Sequence, residues 1–146
     1  MSGAGCELCA LGESLAWRQV VATPHFTVLR VLDAPAFPAF YRVVWREHVA
    51  EFTDLAVADR QRCMEAVATV ESALRGGLRP RKINLAALGN MVPHLHWHVI
   101  ARFDWDSHFP QPIWGTAQRL SDEAKLAEVR LALPALDAQL QAHWAA

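Results

Sequence analysis

The feature that most constrains this chain is residues 93–100, PHLHWHVI, in which three of its seven histidines alternate with apolar residues. Side chains of a β-strand point alternately to its two faces, so the pattern predicts a strand with His94, His96 and His98 on one face. A helix with the same spacing would distribute the imidazoles around its axis. A half-buried strand could carry one histidine without function, but burying several imidazoles is costly unless they find hydrogen-bond partners. We therefore interpret the row as a functional site.

Such a row permits two kinds of chemistry. An unprotonated imidazole can attack phosphorus if a hydrogen-bond acceptor fixes its other ring nitrogen, while a protonated neighbour stabilises phosphate charge or protonates a leaving oxygen. The middle residue, His96, has a partner on each side, which makes it the expected nucleophile. A His-x-His arm can instead supply two ligands of a catalytic zinc. The spacing leaves both mechanisms open.

Length and charge limit the class of protein. With 146 residues, the chain is expected to form a single domain, 1–146, whose hydrophobic core is large enough to fold without disulfide bonds. A formal net charge of −1 gives no bulk attraction to nucleic acid polymers or anionic membranes, and no apolar run has the length of a membrane span. The first five residues lack the pattern of a secretory signal, and the odd cysteine count suits a reducing compartment. We therefore expect a cytoplasmic protein.

Hydrophobic periodicity predicts mostly strands with two helices. The first helix should run over residues 57–74 and end at Gly76-Gly77, and a second should open at Ser121-Asp122 and kink or break at Pro134. The order predicts an α+β fold: an antiparallel sheet of about five strands with one central and one C-terminal helix. Residues 104–146 would extend the same domain. The strands are expected at residues 16–21, 26–32, 41–46, 82–88 and from the histidine row to 103. The last two, joined by a turn that starts at Gly89-Asn90, would form an antiparallel hairpin.

The chain also begins with a Cys-x-x-Cys pair, Cys6 and Cys9. This spacing can hold half of a zinc site or form a redox pair, and it can equally be two small residues in packing. Cys63 falls within the predicted first helix and is expected to pack there.

Residues 94–100 fit the pattern His-φ-His-φ-His-φ-φ, where φ is apolar, and the chain thereby resembles the histidine triad (HIT) family of nucleotidyl hydrolases and transferases. The resemblance runs from Cys6 to about Phe103 and implies a HIT-like fold. Residues 45–49, WREHV, are similar to the family's basic-His-Val stretch. The tail at 108–114, HFPQPIW, resembles a bacterial subgroup described as diadenosine tetraphosphate hydrolases.

The resemblance implies roles for the three histidines. His96 would attack the α-phosphate of a nucleotide, for instance a dinucleoside polyphosphate, and form a covalent nucleotidyl-histidine that water hydrolyses. His98 would contact phosphate and assist the leaving group. His94 would orient the catalytic ring or bind metal. A nucleotide-binding signalling protein with little turnover would keep the same pocket.

The resemblance also implies ligands and partners. Asn84 and Asn90 would position His96 and the phosphates, and Asp33 lies near the position that contacts the ribose hydroxyls. Family members commonly form homodimers. Zinc-bearing relatives imply a structural zinc site made of Cys6, Cys9, His48 and His94.

The chain departs from the family pattern at two positions. Phe40 stands where the family has a further histidine, and Met91 stands where a Ser or Thr often bonds the leaving group; Met91 cannot donate a hydrogen bond. Three aromatic residues of the tail, Trp105, Phe109 and Trp114, could form a wall for a nucleobase, or could cover the domain or a dimer surface.

Overall fold

The segments with alternating apolar residues form one sheet of five antiparallel strands. The computed structural model describes residues 3–145. The predicted α+β fold, with a central and a C-terminal helix, is confirmed. The elements are β1 (Trp17–Ala22), β2 (Phe26–Val31), β3 (Phe40–Trp45), a 3₁₀ turn (Phe52–Asp54), α1 (Val57–Leu78), β4 (Lys82–Ala86), β5 (His96–Arg102) and α2 (Glu123–Trp144). The strands lie in the sheet in the order β1-β2-β3-β5-β4.

The pairing of β3 with β5 builds the centre of the sheet. These strands are not consecutive, and their register places Arg42 opposite His98 and Val44 opposite His96. Strand β4 pairs antiparallel with the other side of β5, as predicted for a hairpin. The predicted turn at Gly89-Asn90 is part of a longer connection, residues 87–95, because β4 ends at Ala86 and β5 begins at His96.

The two faces of the sheet have different environments. One face carries Tyr41, Val43 and Val99 into the main core against α1 and α2. The other carries His96 and His98, and two small apolar clusters flank them. The N-terminal segment contributes Leu8, which packs on Leu29 and Val44, and the β2–β3 connection contributes Phe37, which packs on Phe40 and Ile100. The histidines therefore lie between two covered regions of one sheet face.

The first helix is longer than predicted. The expectation that Gly76-Gly77 ends it is wrong, because α1 continues to Leu78 and the left-handed residue is Arg79, at φ 50°. Gly77 has a packing reason instead: a Cβ built there would lie 2.5 Å from a methyl carbon of Leu136 in α2. The glycine thus permits the two helices to approach closely.

The second helix is continuous. Asp122 caps it by accepting a hydrogen bond from the backbone N–H of Lys125. Of the kink or break expected at Pro134, the break is wrong: the helix runs through this residue, although proline removes one backbone donor. The reason is packing, since a buried stripe on both sides of Pro134 holds the helix on the sheet; its apolar members are Leu126, Val129, Leu133, Leu136 and Leu140.

Among the helices of residues 3–145, none combines the length and the apolar character needed to cross a membrane.

Candidate active site and metal centre

His96 is the first residue of β5 and is buried. Its Nδ1 atom lies 2.6 Å from the backbone carbonyl oxygen of His94. A carbonyl oxygen only accepts, so Nδ1 carries the proton and Nε2 keeps its lone pair. Burial lowers the pKa of His96; the bond to the His94 carbonyl opposes this shift, and the charge of Arg42 adds to it. The ring is therefore a neutral imidazole with a free Nε2, the form that a nucleophile requires.

His98 lies next to His96 on the same face, with ring centroids 4.9 Å apart. Burial, followed by the charges of His96 and Arg42, lowers the pKa of His98 to about 3. Its Nδ1 atom is buried and has no hydrogen-bond partner within the described part of the chain. His98 is thus neutral in the free protein. A bound phosphate would favour its protonated form, because an adjacent negative charge raises the pKa of an imidazole.

Both rings face a pocket of ≈ 380 Å³. This volume falls within the range of small-molecule sites. The polar and aromatic residues that line it are Glu7, Arg42, Asn90, His96, His98 and Trp114.

The ring of His94 turns away from this pair toward the N-terminal cysteines. Strand β5 begins only at His96, so His94 lies before the strand, although Leu95 still packs in the helix-side core. The Nε2 atom of His94 donates to the carbonyl of Trp45, which leaves Nδ1 as the free ring nitrogen. This fixed tautomer is the one that a metal-binding histidine with an outer-shell partner adopts.

Four potential metal ligands meet at this point: Cys6, Cys9, His48 and His94, whose ligand atoms all lie within 4.8 Å of one another. The Nδ1 atom of His94 is 3.4 Å from Cys9 Sγ, 3.5 Å from Cys6 Sγ and 3.2 Å from His48 Nδ1. Ligand atoms around a tetrahedral zinc ion lie about 3.3–3.8 Å apart. Chemistry and spacing therefore fit zinc.

The predicted substrate-binding residues occupy different places. Asn90 is exposed and lines the pocket. Asn84 is on β4, where its Oδ1 accepts a hydrogen bond from Nη1 of Arg102 at 2.9 Å. Asp33 is exposed just after β2, close enough for its charge to act on Arg42. Asn90 therefore lies in the same pocket as His96 and His98, whereas Asn84 is hydrogen-bonded to Arg102.

A buried ion pair shapes the wall of the site. Arg102 donates to both oxygens of Asp106, at 2.9 and 3.0 Å, and to the carbonyl of Gln111 at 2.8 Å. Asp106 also accepts from the backbone N–H groups of Phe103, His108 and Phe109. These bonds fix the segment that leads to Trp114.

The two residues that depart from the family pattern, Phe40 and Met91, and the aromatic residues of the tail lie in two different places. Phe40 is buried with its ring 5.4 Å from that of His98, and Trp114 lies 5.3 Å from His98 on the pocket side. Met91 lines the same pocket and is 93% exposed.

Among the aromatic residues of the tail, Trp105 stacks on Phe103 beside the helix-side core. Phe109 lies near the Arg102 guanidinium, with Cζ 5.9 Å from its ring centroid. Trp114 is therefore the tail aromatic that is positioned beside His98.

Sequence reasoning missed two charged residues of the pocket, Arg42 and Glu7. A lone arginine inside an apolar strand was the available signal. Its importance depends on the β3–β5 register, which a single sequence does not reveal.

Comparison with known proteins agrees with this architecture. Residues 16–105 match the HIT domain family. A histidine triad protein from Bradyrhizobium japonicum is 33% identical, with a TM-score of 0.70, over 86% of this chain and 91% of that one. A histidine triad protein from Marinobacter aquaeolei VT8 is 29% identical, with a TM-score of 0.68, over 89% of this chain and 96% of that one. No curated protein matches the chain significantly in sequence.

The family match spans more than half of the 146 residues and includes the histidine strand and β3 opposite it. This chain belongs to the HIT domain family.

Proposed function

We propose that this protein is a nucleotide phosphohydrolase or nucleotidyl transferase in which His96 attacks an α-phosphate. The observation that carries the proposal is the hydrogen bond from His96 Nδ1 to the His94 carbonyl, which leaves Nε2 unprotonated beside the pocket. Members of the family are generally nucleotide hydrolases or transferases, which supports the same chemistry.

The reaction would have two steps. The Nε2 lone pair forms a bond to phosphorus while the bond from phosphorus to the leaving oxygen breaks with its electron pair. Water then attacks the phosphorus, the P–N bond breaks with its electrons returning to Nε2, and one proton of the water is released. The product is a nucleoside monophosphate. His98, whose ring adjoins His96, would bind phosphate oxygens in both steps.

Dinucleoside polyphosphates are the substrates that we propose. The tail at 108–114 resembles the subgroup described as diadenosine tetraphosphate hydrolases, and it places Trp114 beside His98. An indole edge or face next to the phosphate site can pack against a nucleobase. Asn90 at the rim would contact phosphate, and Asp33 the ribose.

We assign zinc a structural role at Cys6, Cys9, His48 and His94. Two thiols and two imidazoles form a complete tetrahedral set, so no ligand position is left for water or substrate. His96 and His98 are not members of this set. This arrangement favours covalent catalysis by His96 over the alternative of a zinc-dependent hydrolase.

Three further properties complete the proposal. The chain would act as one domain, 1–146, in which residues 104–146 extend the HIT region. We expect the chain to form a homodimer. Size-exclusion chromatography with light scattering tests this expectation, and a monomer at micromolar concentration would contradict it. Its free cysteines suit the reducing cytoplasm.

Rapid quench followed by intact mass measurement under non-acidic conditions tests the mechanism. Wild-type protein is mixed with diadenosine tetraphosphate and, separately, with adenosine 5′-phosphoramidate. We expect an adenylyl adduct that is absent from His96→Ala and present in His143→Ala, since His143 is an exposed histidine of α2. Binding without adduct or turnover in the wild type would support the alternative, a nucleotide-binding signalling protein.

A further inference from the structure

Arg42 is a charged residue in the middle of the apolar strand β3. The register of β3 with β5 places it directly opposite His98, so its side chain shares the histidine face. It is half-buried and lines the same pocket as His96 and His98. Its neighbours Tyr41 and Val43 point into the helix-side core. The fold therefore presents one fixed cation to the two imidazoles.

The guanidinium of Arg42 has no hydrogen-bond acceptor among residues 3–145, and its Nε atom is buried. Two carboxylates, Glu7 and Asp33, favour its charged form by their proximity, but neither forms an ion pair with it in the described part of the chain. Its Cζ lies 5.4 Å from the centroid of the Phe40 ring. A partly buried cation without a carboxylate partner is costly, and such a cost is typical of a site that binds an anion.

The chemistry of the pocket indicates which anion. A neutral amine leaving group requires a proton as its bond to phosphorus breaks, and the guanidinium of an arginine does not give one up. A phosphate leaving group departs as an anion and needs charge stabilisation instead. Phe40 and Met91 offer no hydrogen bond to a leaving group, whereas an arginine binds phosphate through two parallel N–H donors.

We infer that Arg42 binds the anionic leaving group of the substrate, and that it makes the enzyme select nucleotides with a phosphate leaving group over nucleoside phosphoramidates. This inference rests on the proposed function and deepens it. Arg42 is then a specificity-determining residue on the strand opposite the nucleophile.

The test compares two substrates with the same α-phosphate. We would measure kcat/KM of wild type, Arg42→Gln and Arg75→Gln with diadenosine tetraphosphate and with adenosine 5′-phosphoramidate. Arg75 is an exposed arginine of α1, which packs on the other face of the sheet, and serves as the matched control. Losing a hydrogen bond to a charged group predicts a roughly ten- to hundredfold decrease for Arg42→Gln with the tetraphosphate. With the phosphoramidate we expect less than about a threefold change, since its leaving group carries no charge for Arg42 to bind.

An equal decrease with both substrates, or no decrease with either, would overturn the inference. A wild-type enzyme that turns over only the phosphoramidate would overturn it as well.

A binding measurement provides a readout that does not depend on turnover. Calorimetry with adenosine 5′-tetraphosphate would compare His96→Ala with the double variant that also carries Arg42→Gln. Weaker binding by the double variant supports the inference, and equal binding overturns it. If wild type turns over neither substrate, the proposed function fails, while this comparison still decides the role of Arg42.

Discussion

His94 contacts both halves of the site: its backbone carbonyl accepts a hydrogen bond from His96 Nδ1, and its own Nδ1 lies among the four potential zinc ligands. A single residue therefore links the predicted nucleophile to the predicted metal centre. The carbonyl of Trp45 completes the chain of contacts by accepting from His94 Nε2. In each of these two neutral rings, the nitrogen that donates to a carbonyl carries the proton, so the other nitrogen keeps its lone pair.

The first prediction concerns the tautomer of His96. We expect nitrogen NMR of the free protein at neutral pH to show a neutral ring with the proton on Nδ1, because the His94 carbonyl can only accept. His143, an exposed histidine of α2, serves as the internal control. A protonated Nε2 on His96 would contradict the assignment of this residue as nucleophile.

The second prediction concerns metal removal. Protein grown with zinc should carry one zinc per chain, and chelation should lower the free energy of unfolding by about 2 kcal/mol or more, since the ion binds only the folded cluster. Cys9→Ser should abolish the stoichiometric zinc measured by atomic emission. Cys63→Ala is the control: its buried thiol, whose pKa burial raises to about 11, lies within α1 and outside the cluster. Zinc retained by Cys9→Ser would contradict the ligand set.

The third prediction concerns Asp106 and acid stability. Burial by itself would raise the pKa of Asp106, but hydrogen bonds from Arg102 and from the Phe103 backbone outweigh it and hold the pKa below its ordinary value. The stabilisation is therefore fully present above the unfolded-state pKa of about 4 and is lost as pH falls through the lower folded-state pKa. Urea unfolding measured between about pH 7 and about pH 3 should show this loss.

Asp106→Asn should remove that part of the acid dependence. At neutral pH it should also cost roughly 3 kcal/mol or more, because Arg102 would remain buried without its partner. Asp104→Asn is the matched control, since Asp104 pairs with Arg81 on the exposed surface at 3.4 Å. Equal effects of the two variants would show that the buried pair has no special role in stability.

The fourth prediction separates two adjacent glycines of α1. Gly76→Ala should stabilise the protein by about 0.5–1 kcal/mol, because alanine is the better helix former and a Cβ there meets no atom within 4 Å. Gly77→Ala should lose this gain and cost about 1–3 kcal/mol through overpacking against Leu136. Thermal unfolding of both variants measures the difference. Similar melting temperatures for the two would mean that the helix contact relaxes easily.

The sequence predicted the parts of this protein that depend on local pattern. Alternation around His96 and His98 identified their strand, and the apolar stripe of α1 identified a helix, since both periods are set by backbone geometry. The ends of elements were less predictable. Gly77 signals a helix end by local preference, but it lies within the last turn of α1, where it packs closely against Leu136 of the other helix.

The site was predictable where spacing alone brings side chains together. His96 and His98 adjoin because they are two residues apart on a strand. The roles of Arg42 and of Asn84 depend instead on tertiary structure. Arg42 reaches the pocket only through the pairing of β3 with β5, which no local pattern encodes. The β4–β5 hairpin was predicted, but the register that brings Asn84 to Arg102 was not.

The pairing of β3 with β5 has a consequence for when this protein can become active. Arg42 and His98 face each other across strands that are separated in the chain by all of α1 and β4. During synthesis, β3 leaves the ribosome long before β5 exists. The two strands can pair only by closing the long loop between them, and such a non-local contact is slow and entropically costly. A partly folded chain can therefore contain every histidine of the row and still lack the placement of Arg42 opposite His98. If the protein has the activity proposed above, nucleotide turnover would report the pairing of β3 with β5, and it would serve as an assay for refolding.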